Sequence, residues 1–583
     1  MMFKPVIRFS QPRAQMALPR LSLPSQNIGQ KPKPYLRSKQ LERWAAELPV
    51  GNTTVTAHQM LEKLRTLNSS RYPARERIAL HNALRATFNE LMYAVRQPLR
   101  QANIPLDRQQ LYRAELLQNL LEQMATGYKI VVSQLAMTEQ LKDYDQLLLT
   151  EAIYLSMVYL NQRLVDTYSI YTTEPHDVWS DLNQLYQFAE ANQLHLSQID
   201  DPFPDTPLPV HLNIDFIYKR MILLALAEPY QLMQYETDDM YRLIASSVHG
   251  CVIENYSGLV TQGEYVIDLN ADEGPRFINS DDDWHPVDPR VVDIGMVKTQ
   301  LNVHLQRLLR SNANNAEFEV VSLMERQQRD MLLRLADAWN GSLIRKTKRF
   351  SLNARIELTS GLNAAHHFIS EERSFTPEVD ELKLATNNSQ VHDEEWNSVF
   401  GTSYNGAVEK DRKHSQQSFQ VNPWHQNNIS PIGVALTCQQ DDNNIEIKVG
   451  ELVTYRESSA KTVHWRVGVV RWMRHEFDAM GNGIINIGIM NLANGALAVG
   501  TKASKGLGSG TDYFRAIMIP KNVANHQKRS LLVPALLYDI GTELSVNMNN
   551  KLIHVRLTRM LLSTRSFTQF DFDVIEQPLD YVL

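Results

Sequence analysis

Two short runs in the C-terminal half carry residue types suited to an anionic ligand. Arg345-Lys346-Thr347-Lys348-Arg349 sets two guanidinium groups four residues apart, just before a strand-like run. Both can therefore converge on one anion with planar, bidentate geometry. Asn428-Ile429-Ser430-Pro431-Ile432-Gly433 supplies a short amide, a hydroxyl and a terminal glycine. That set suits a turn whose backbone comes close to a ligand. Together the two runs have the make-up of a nucleotide clamp. Lys346 and Lys348 either add non-directional attraction or face solvent, and their spacing leaves both readings open.

The surrounding sequence reads as β-structure. Phe350, Leu352, Ala354, Ile356 and Leu358 alternate with polar residues at the period of a half-buried strand. After Gly433 come the runs Val434 to Thr437, Val449 to Val453, Trp465 to Trp472 and Asn486 to Ile489. Short β-rich runs separated by turns are what a small barrel requires.

An Arg-x-x-x-Arg followed by an Asn-x-Ser-x-x-Gly on β-structure resembles the PilZ domain, a family that binds the bacterial second messenger cyclic di-GMP. The resemblance covers roughly residues 340 to 500. It implies that Arg345 and Arg349 contact the phosphates and guanines, and that Asn428, Ser430 and Gly433 lie on the opposing strand. Arginine suits both tasks, because its fork bridges phosphate oxygens or pairs with guanine O6 and N7, and its plane stacks on a base. The resemblance further implies that the arginine segment is a flexible link whose ordering reorients a neighbouring domain. This chain departs from the family in spacing: its motifs lie about eighty residues apart, where the family has a few tens. Residues 370 to 424, rich in Glu, Asp, Asn, Gln and Ser, read as a polar surface insertion. Lengthening a loop costs only about (3/2)RT ln n, so both motifs can still meet.

At 583 residues the chain exceeds one ordinary core, so two or three domains are expected. The net charge of -6 gives no argument for nucleic-acid binding. Cys251 and Cys438 are the two cysteines, which excludes a disulfide framework and a CxxC metal site and fits a cytoplasmic location. The apolar run Met221 to Ala227 is too short for a transmembrane helix, and no secretory signal pattern follows the first basic residues.

The expected fold is multidomain α plus β. Residues 1–40 hold six prolines, eight basic residues and no acidic one, and read as a basic flexible tail. Residues 41–339 read as a helical bundle or array. Helices are expected after Thr54-Val55-Thr56, after Pro73, and near 108–135, 138–165, 177–194, 211–246, 293–310 and 316–339, with a small hairpin over Tyr256 to Asp272 and a turn at Pro286 to Pro289. A PilZ-like barrel takes 340–500. The β-rich block 501–583 is either a second β-subdomain or an elaboration of that barrel.

Other candidate chemistry is poorer. His366 and His367 on a strand-like run point to opposite faces and cannot share a metal. His249-Gly250-Cys251 lacks an orienting acid, so Cys251 reads as a buried thiol. Gly500 to Gly510 lacks the ending of a phosphate loop and reads as a mobile connection, while Asp281 to Asp283 reads as a solvated turn. No catalytic or cofactor set emerges, so an enzyme is not expected. The leading expectation is a cyclic di-GMP receptor whose PilZ-like domain gates a helical domain, with an unidentified protein partner bound by that domain or by the basic tail. The alternative is a structural adaptor whose degenerate PilZ-like domain acts through protein contacts.

Overall fold

The computed structural model describes residues 18–25, 36–138, 141–204, 211–256, 264–278, 285–314, 323–340, 350–375, 419–440, 445–458, 464–478, 480–505, 512–521, 529–548 and 551–575. The chain divides into two compact units, 1–319 with 331–344, and 320–330 with 345–583.

The first unit is mainly helical. Its first eight α-helices are α1 (Ser38–Ala46), α2 (Thr53–Ser69), α3 (Ala74–Arg100), α4 (Arg108–Ala136), α5 (Asp143–Ser169), α6 (Val178–Ala191), α7 (Ile214–Leu226) and α8 (Glu236–Ile244). Local chemistry sets their starts. The Asn52 side chain accepts from the Val55 N–H at 3.2 Å, so the cap of α2 lies just ahead of Thr54-Val55-Thr56. Asp107 and Gln110 form a reciprocal capping box at α4. α5 is buried nearly all round from Leu148 to Tyr168, which marks it as the central helix of the unit. The single helix expected over 211–246 is instead α7 and α8. Glu228 takes a positive φ of 54° and Pro229 cannot continue the hydrogen-bond ladder, so the chain breaks there.

Leu18–Ser25 departs from the solvated tail expected for 1–40. Pro19, Leu21 and Leu23 are half-buried, and the backbone of Arg20 and Ser22 is hydrogen-bonded to α6. The hairpin expected over Tyr256 to Asp272 is also replaced. A four-stranded sheet forms from β1 (Val252–Asn255), β2 (Tyr265–Asp268), β3 (Arg276–Phe277) and β4 (Pro289–Asp293), in the order β1-β4-β2-β3. Pro289 opens a strand that inserts between β1 and β2, a pairing that local alternation does not encode. α9 (Gly295–Asn314) and α10 (Leu323–Trp339) follow. The end of α10 is fixed by Trp339, whose indole donates to the Leu223 carbonyl at 3.3 Å and whose own carbonyl accepts from the Tyr265 hydroxyl at 3.0 Å.

The second unit holds two closed six-stranded barrels. The first uses β5 (Phe350–Ser360), β6 (Asn422–Ser430), β7 (Gly433–Gln439), β8 (Leu452–Glu457), β9 (Arg466–Phe477) and β10 (Gly483–Ala493), in the order β10-β7-β6-β5-β8-β9. The second uses β11 (Leu497–Lys505), β12 (Phe514–Ile519), β13 (Ser530–Pro534), β14 (Glu543–Asn547), β15 (Leu552–Ser563) and β16 (Phe567–Val574), in the order β11-β12-β13-β16-β15-β14. The open question about the C-terminal block is thereby answered: it is a barrel of its own. Gly500 to Lys505 belongs to β11 and is not a loose connection, because β11 pairs with both β12 and β14.

Between β5 and β6 lies α11 (Leu362–Ile369), so His366 and His367 sit on a helix and not on a strand. Gly361, at a φ of +94°, turns the chain out of β5. Leu362, Ala365 and Ile369 then face inward at helical spacing, packing with Val467 of the first barrel and Ile517, Leu532 and Phe567 of the second. Beyond α11, the Arg515 guanidinium lies 5.4 Å from the Phe375 ring and 5.9 Å from the Phe419 ring. The described ends of the polar insertion therefore meet on one cation of β12.

His81 of α3, His366 of α11 and His475 of β9 are buried, and burial pushes each imidazole down to about 4. For His81 the reason is visible in the packing: a Cβ on Gly127 of α4 would lie 1.9 Å from its ring. Each ring is held neutral when folded and takes up a proton near pH 6.5 when unfolded. The unfolded chain therefore binds more protons between about pH 6.5 and 4. Stability is fully present above that window and is lost as pH falls through it, by on the order of 3 kcal/mol per histidine. Denaturant titrations at pH 7.5 and 4.5 should show a lower midpoint in acid, and His475→Gln should reduce the difference. An identical midpoint at both values would refute buried neutral imidazoles.

Candidate functional site

The site is built on the β6–β7 hairpin. Ser430 and Gly433 pair across the exposed residues Pro431 and Ile432, and the Ser430 hydroxyl donates to the Gly433 carbonyl at 3.1 Å. The hairpin tip is tied to β10, where the Asn491 N–H donates to the Ile432 carbonyl at 3.0 Å. Gly433 is required by crowding: a Cβ there would stand 2.3 Å from the Ile489 carbonyl oxygen, an atom of backbone that cannot swing aside.

β6 is irregular beside the motif. Gln426 pairs with Leu436 and Asn428 with Ala435, so Asn427 is the extra residue of a bulge. On the other edge Ser351 pairs with Asn428 and Ala354 with Gln426, so β5 is out of step at the same place. Bulges re-aim side chains and are frequent beside binding sites. The Asn427 amide donates to the Thr437 hydroxyl, which donates to Asn486 Oδ1 at 2.6 Å, and Asn486 Nδ2 donates to Glu476 at 3.1 Å. This polar ladder across four strands begins next to Asn428. Sequence reasoning passed over it, because only register brings Asn427, Thr437, Asn486 and Glu476 into line.

Asn428, Ser430 and Gly433 thus share one hairpin, all half-buried. Arg345 and Arg349 lie outside the described residues. The chain resumes at Phe350, directly after Arg349, and Phe350 pairs with Ile429 while Ser351 pairs with Asn428. Covalent geometry holds Arg345 within about 18 Å of Phe350 and Arg349 within one residue of it. Phe350 and Leu352 on β5 and Ile432 at the hairpin tip are exposed apolar residues, with 64%, 46% and 60% of their surface open. The hairpin can offer an amide, a hydroxyl and backbone groups to a polar ligand, with apolar surface nearby.

Cys251 is buried, and burial pushes its thiol up to about 12, far from a reactive thiolate. Asp281 to Asp283 lie outside the described residues. Among the described residues no cluster of three His, Cys, Asp or Glu side chains could hold a metal, and no helix is long and apolar enough to cross a membrane.

Comparison with known proteins bears on the same barrel. Residues 265–427 and 402–496 match a family model described as the middle PilZ domain of the cyclic-di-GMP receptor FimW. The first barrel lies within that stretch and is similar to a PilZ domain. The PilZ barrel is flanked on both sides by matches to models for the same receptor, its N-terminal domain over 39–257 and its C-terminal β-barrel domain over 499–575. The cyclic-di-GMP receptor FimW of Pseudomonas aeruginosa is 25% identical over 571 residues, covering 92% of this chain and 90% of the relative. No solved structure matches this chain.

Proposed function

We propose that this protein is a non-enzymatic, cytoplasmic receptor for cyclic di-GMP, binding it on the PilZ barrel through Arg345, Arg349, Asn428, Ser430 and Gly433. The observation that carries the reading is the β5–β6 register. Phe350 opposite Ile429 brings the chain that has just left Arg349 to the edge of the Asn428-to-Gly433 hairpin. Two guanidinium groups then meet a ligand with two phosphodiesters on one side, and the hairpin's amide and hydroxyl meet it on the other. The similarity of the whole chain to a protein named as a cyclic-di-GMP receptor supports the choice of ligand. Titration calorimetry with cyclic di-GMP, using GTP and cyclic di-AMP as controls, tests it. Absence of selective binding would favour the adaptor reading, in which the PilZ domain acts through protein contacts.

Within the hairpin the two positions should respond differently. Ser430→Ala should weaken binding by only about 0.5 to 1.5 kcal/mol, since it removes one neutral hydrogen bond. Gly433→Val should weaken binding more and also destabilise the barrel by about 1 to 3 kcal/mol, because β10 must shift to admit the side chain. Equal affinities for the parent and both variants would place the hairpin away from the ligand.

Ligand binding is further proposed to be relayed to α10, which ends at Trp339, ten residues before Arg349 (349 − 339 = 10). Ordering that link around two phosphates restricts the helix that precedes it. Saturating cyclic di-GMP should slow hydrogen exchange over 345–349 and alter it in α10. Protection confined to the barrel would leave a binding module without a relay, since a ligand with equal affinity for both arrangements shifts neither.

A further inference from the structure

We propose that the surface of α4 and α6 under Leu18–Ser25 is a recognition site for an extended, leucine- and proline-rich peptide of a partner, occupied here by the chain's own segment. The site reads backbone. The Ser22 N–H donates to Asp181 Oδ1 at 2.8 Å, and its carbonyl accepts from Lys129 Nζ at 2.7 Å. Lys129 and Asp181 are themselves paired at 2.5 Å, with only 3% of each side chain exposed. A second backbone contact lies two residues earlier, where the Arg20 N–H donates to Gln184 Oε1 at 3.2 Å.

Side chains alternate around this clamp. Pro19, Leu21 and Leu23 turn toward the helices and are half-buried, while Leu18, Arg20, Ser22 and Pro24 are exposed. Backbone bonds combined with every second side chain are how extended peptides are recognised, the bonds supplying affinity and the alternate positions selectivity. Because Ser22 is held by its N–H and carbonyl and the residue is exposed, the clamp excludes proline at that position and is otherwise indifferent to residue type. Pro19 and Pro24 limit the freedom lost on binding, and a competing peptide of the same composition shares that advantage.

The buried pair explains why the site would exchange occupants instead of standing open. With the segment gone, one carboxylate oxygen and one ammonium hydrogen lose their partners in a low-dielectric setting, which is costly. A ligand that replaces the segment must therefore offer the same N–H and carbonyl. The occupant's described contacts include three backbone hydrogen bonds from eight residues, a set that a peptide of the same composition can reproduce.

The test uses the full chain and a fluorescent synthetic peptide of residues 18–25. Leu21→Asp combined with Leu23→Asp releases the chain's own segment while leaving α4 and α6 unaltered. The peptide should bind this variant saturably and the parent at least about tenfold more weakly, because the parent's segment competes. A peptide N-methylated at the Ser22 amide lacks the donor and should lose at least about tenfold, the effect of one hydrogen bond to a charged group. A circular dichroism melt establishes that the variant is folded. If it is not, hydrogen exchange at the Ser22 amide of the parent replaces it, and millimolar peptide should speed that exchange. Failure of the peptide to bind the folded variant, equal binding of the N-methylated peptide, or unchanged exchange in the parent would each show a fixed structural strap and overturn the proposal.

Discussion

Alanine at Arg345 or at Arg349 is expected to weaken cyclic di-GMP binding by about 2 to 5 kcal/mol, roughly thirtyfold or more. At the proposed site each substitution would leave part of a phosphate without its cation, so the loss should exceed that of a surface ion pair. Arg349→Lys should recover only part of it, because an ammonium supplies charge without the planar fork. Lys63→Ala is the control. Lys63 lies on α2 in the helical unit, 4.5 Å from the Trp44 ring, and should leave affinity unchanged. Calorimetric titration of these four variants decides the matter. Parental affinity in both arginine-to-alanine variants would remove the arginine segment from the site, whatever the hairpin does.

The second large effect concerns the strand that carries the motif. Trp424 is fully buried on β6, opposite Ile356 of β5 and four residues before Asn428 (428 − 424 = 4). Trp424→Ala should destabilise the PilZ barrel by about 3 to 5 kcal/mol, through lost apolar burial and the cavity left behind. Trp424→Phe should cost less, since most of the ring volume is kept. Because the chain has two compact units, the readout should be local: hydrogen exchange in β5 to β10 should speed while exchange in α4 and α5 stays constant. Binding should fall in parallel with barrel protection, since Asn428 and Ser430 share the strand. Unaltered protection in β6 would mean that Trp424 does not hold the motif in place.

The two substitutions also separate ligand contact from scaffold. Arginine variants should lose affinity with the barrel intact, whereas the tryptophan variant should lose both together. The pH dependence supplies a third, independent axis, because His81 reports on the helical unit while His366 and His475 report on the barrels.

Local chemistry made much of this protein legible from its residues. The alternation holds in β5 from Ala354 to Leu358, while Phe350 and Leu352 ahead of the irregularity are exposed, and the Asn428-to-Gly433 run became a hairpin with Pro431 and Ile432 at its tip. Three-and-four spacing marked most helices of the first unit, since such patterns repeat within a few residues. What failed was whatever depended on distant partners. α11 is only eight residues long, and Leu362, Ala365 and Ile369 reveal their helical spacing only against apolar residues of both barrels. Gly500 to Lys505 looked like a linker because its small and polar residues form a strand only between β12 and β14. The Asn427 bulge, the ladder to Glu476 and the Lys129–Asp181 clamp on Ser22 join residues that no local window contains. Register and long-range pairing arise from closing the barrels and packing the helices, so they were settled by the tertiary structure and not by any stretch of sequence read alone.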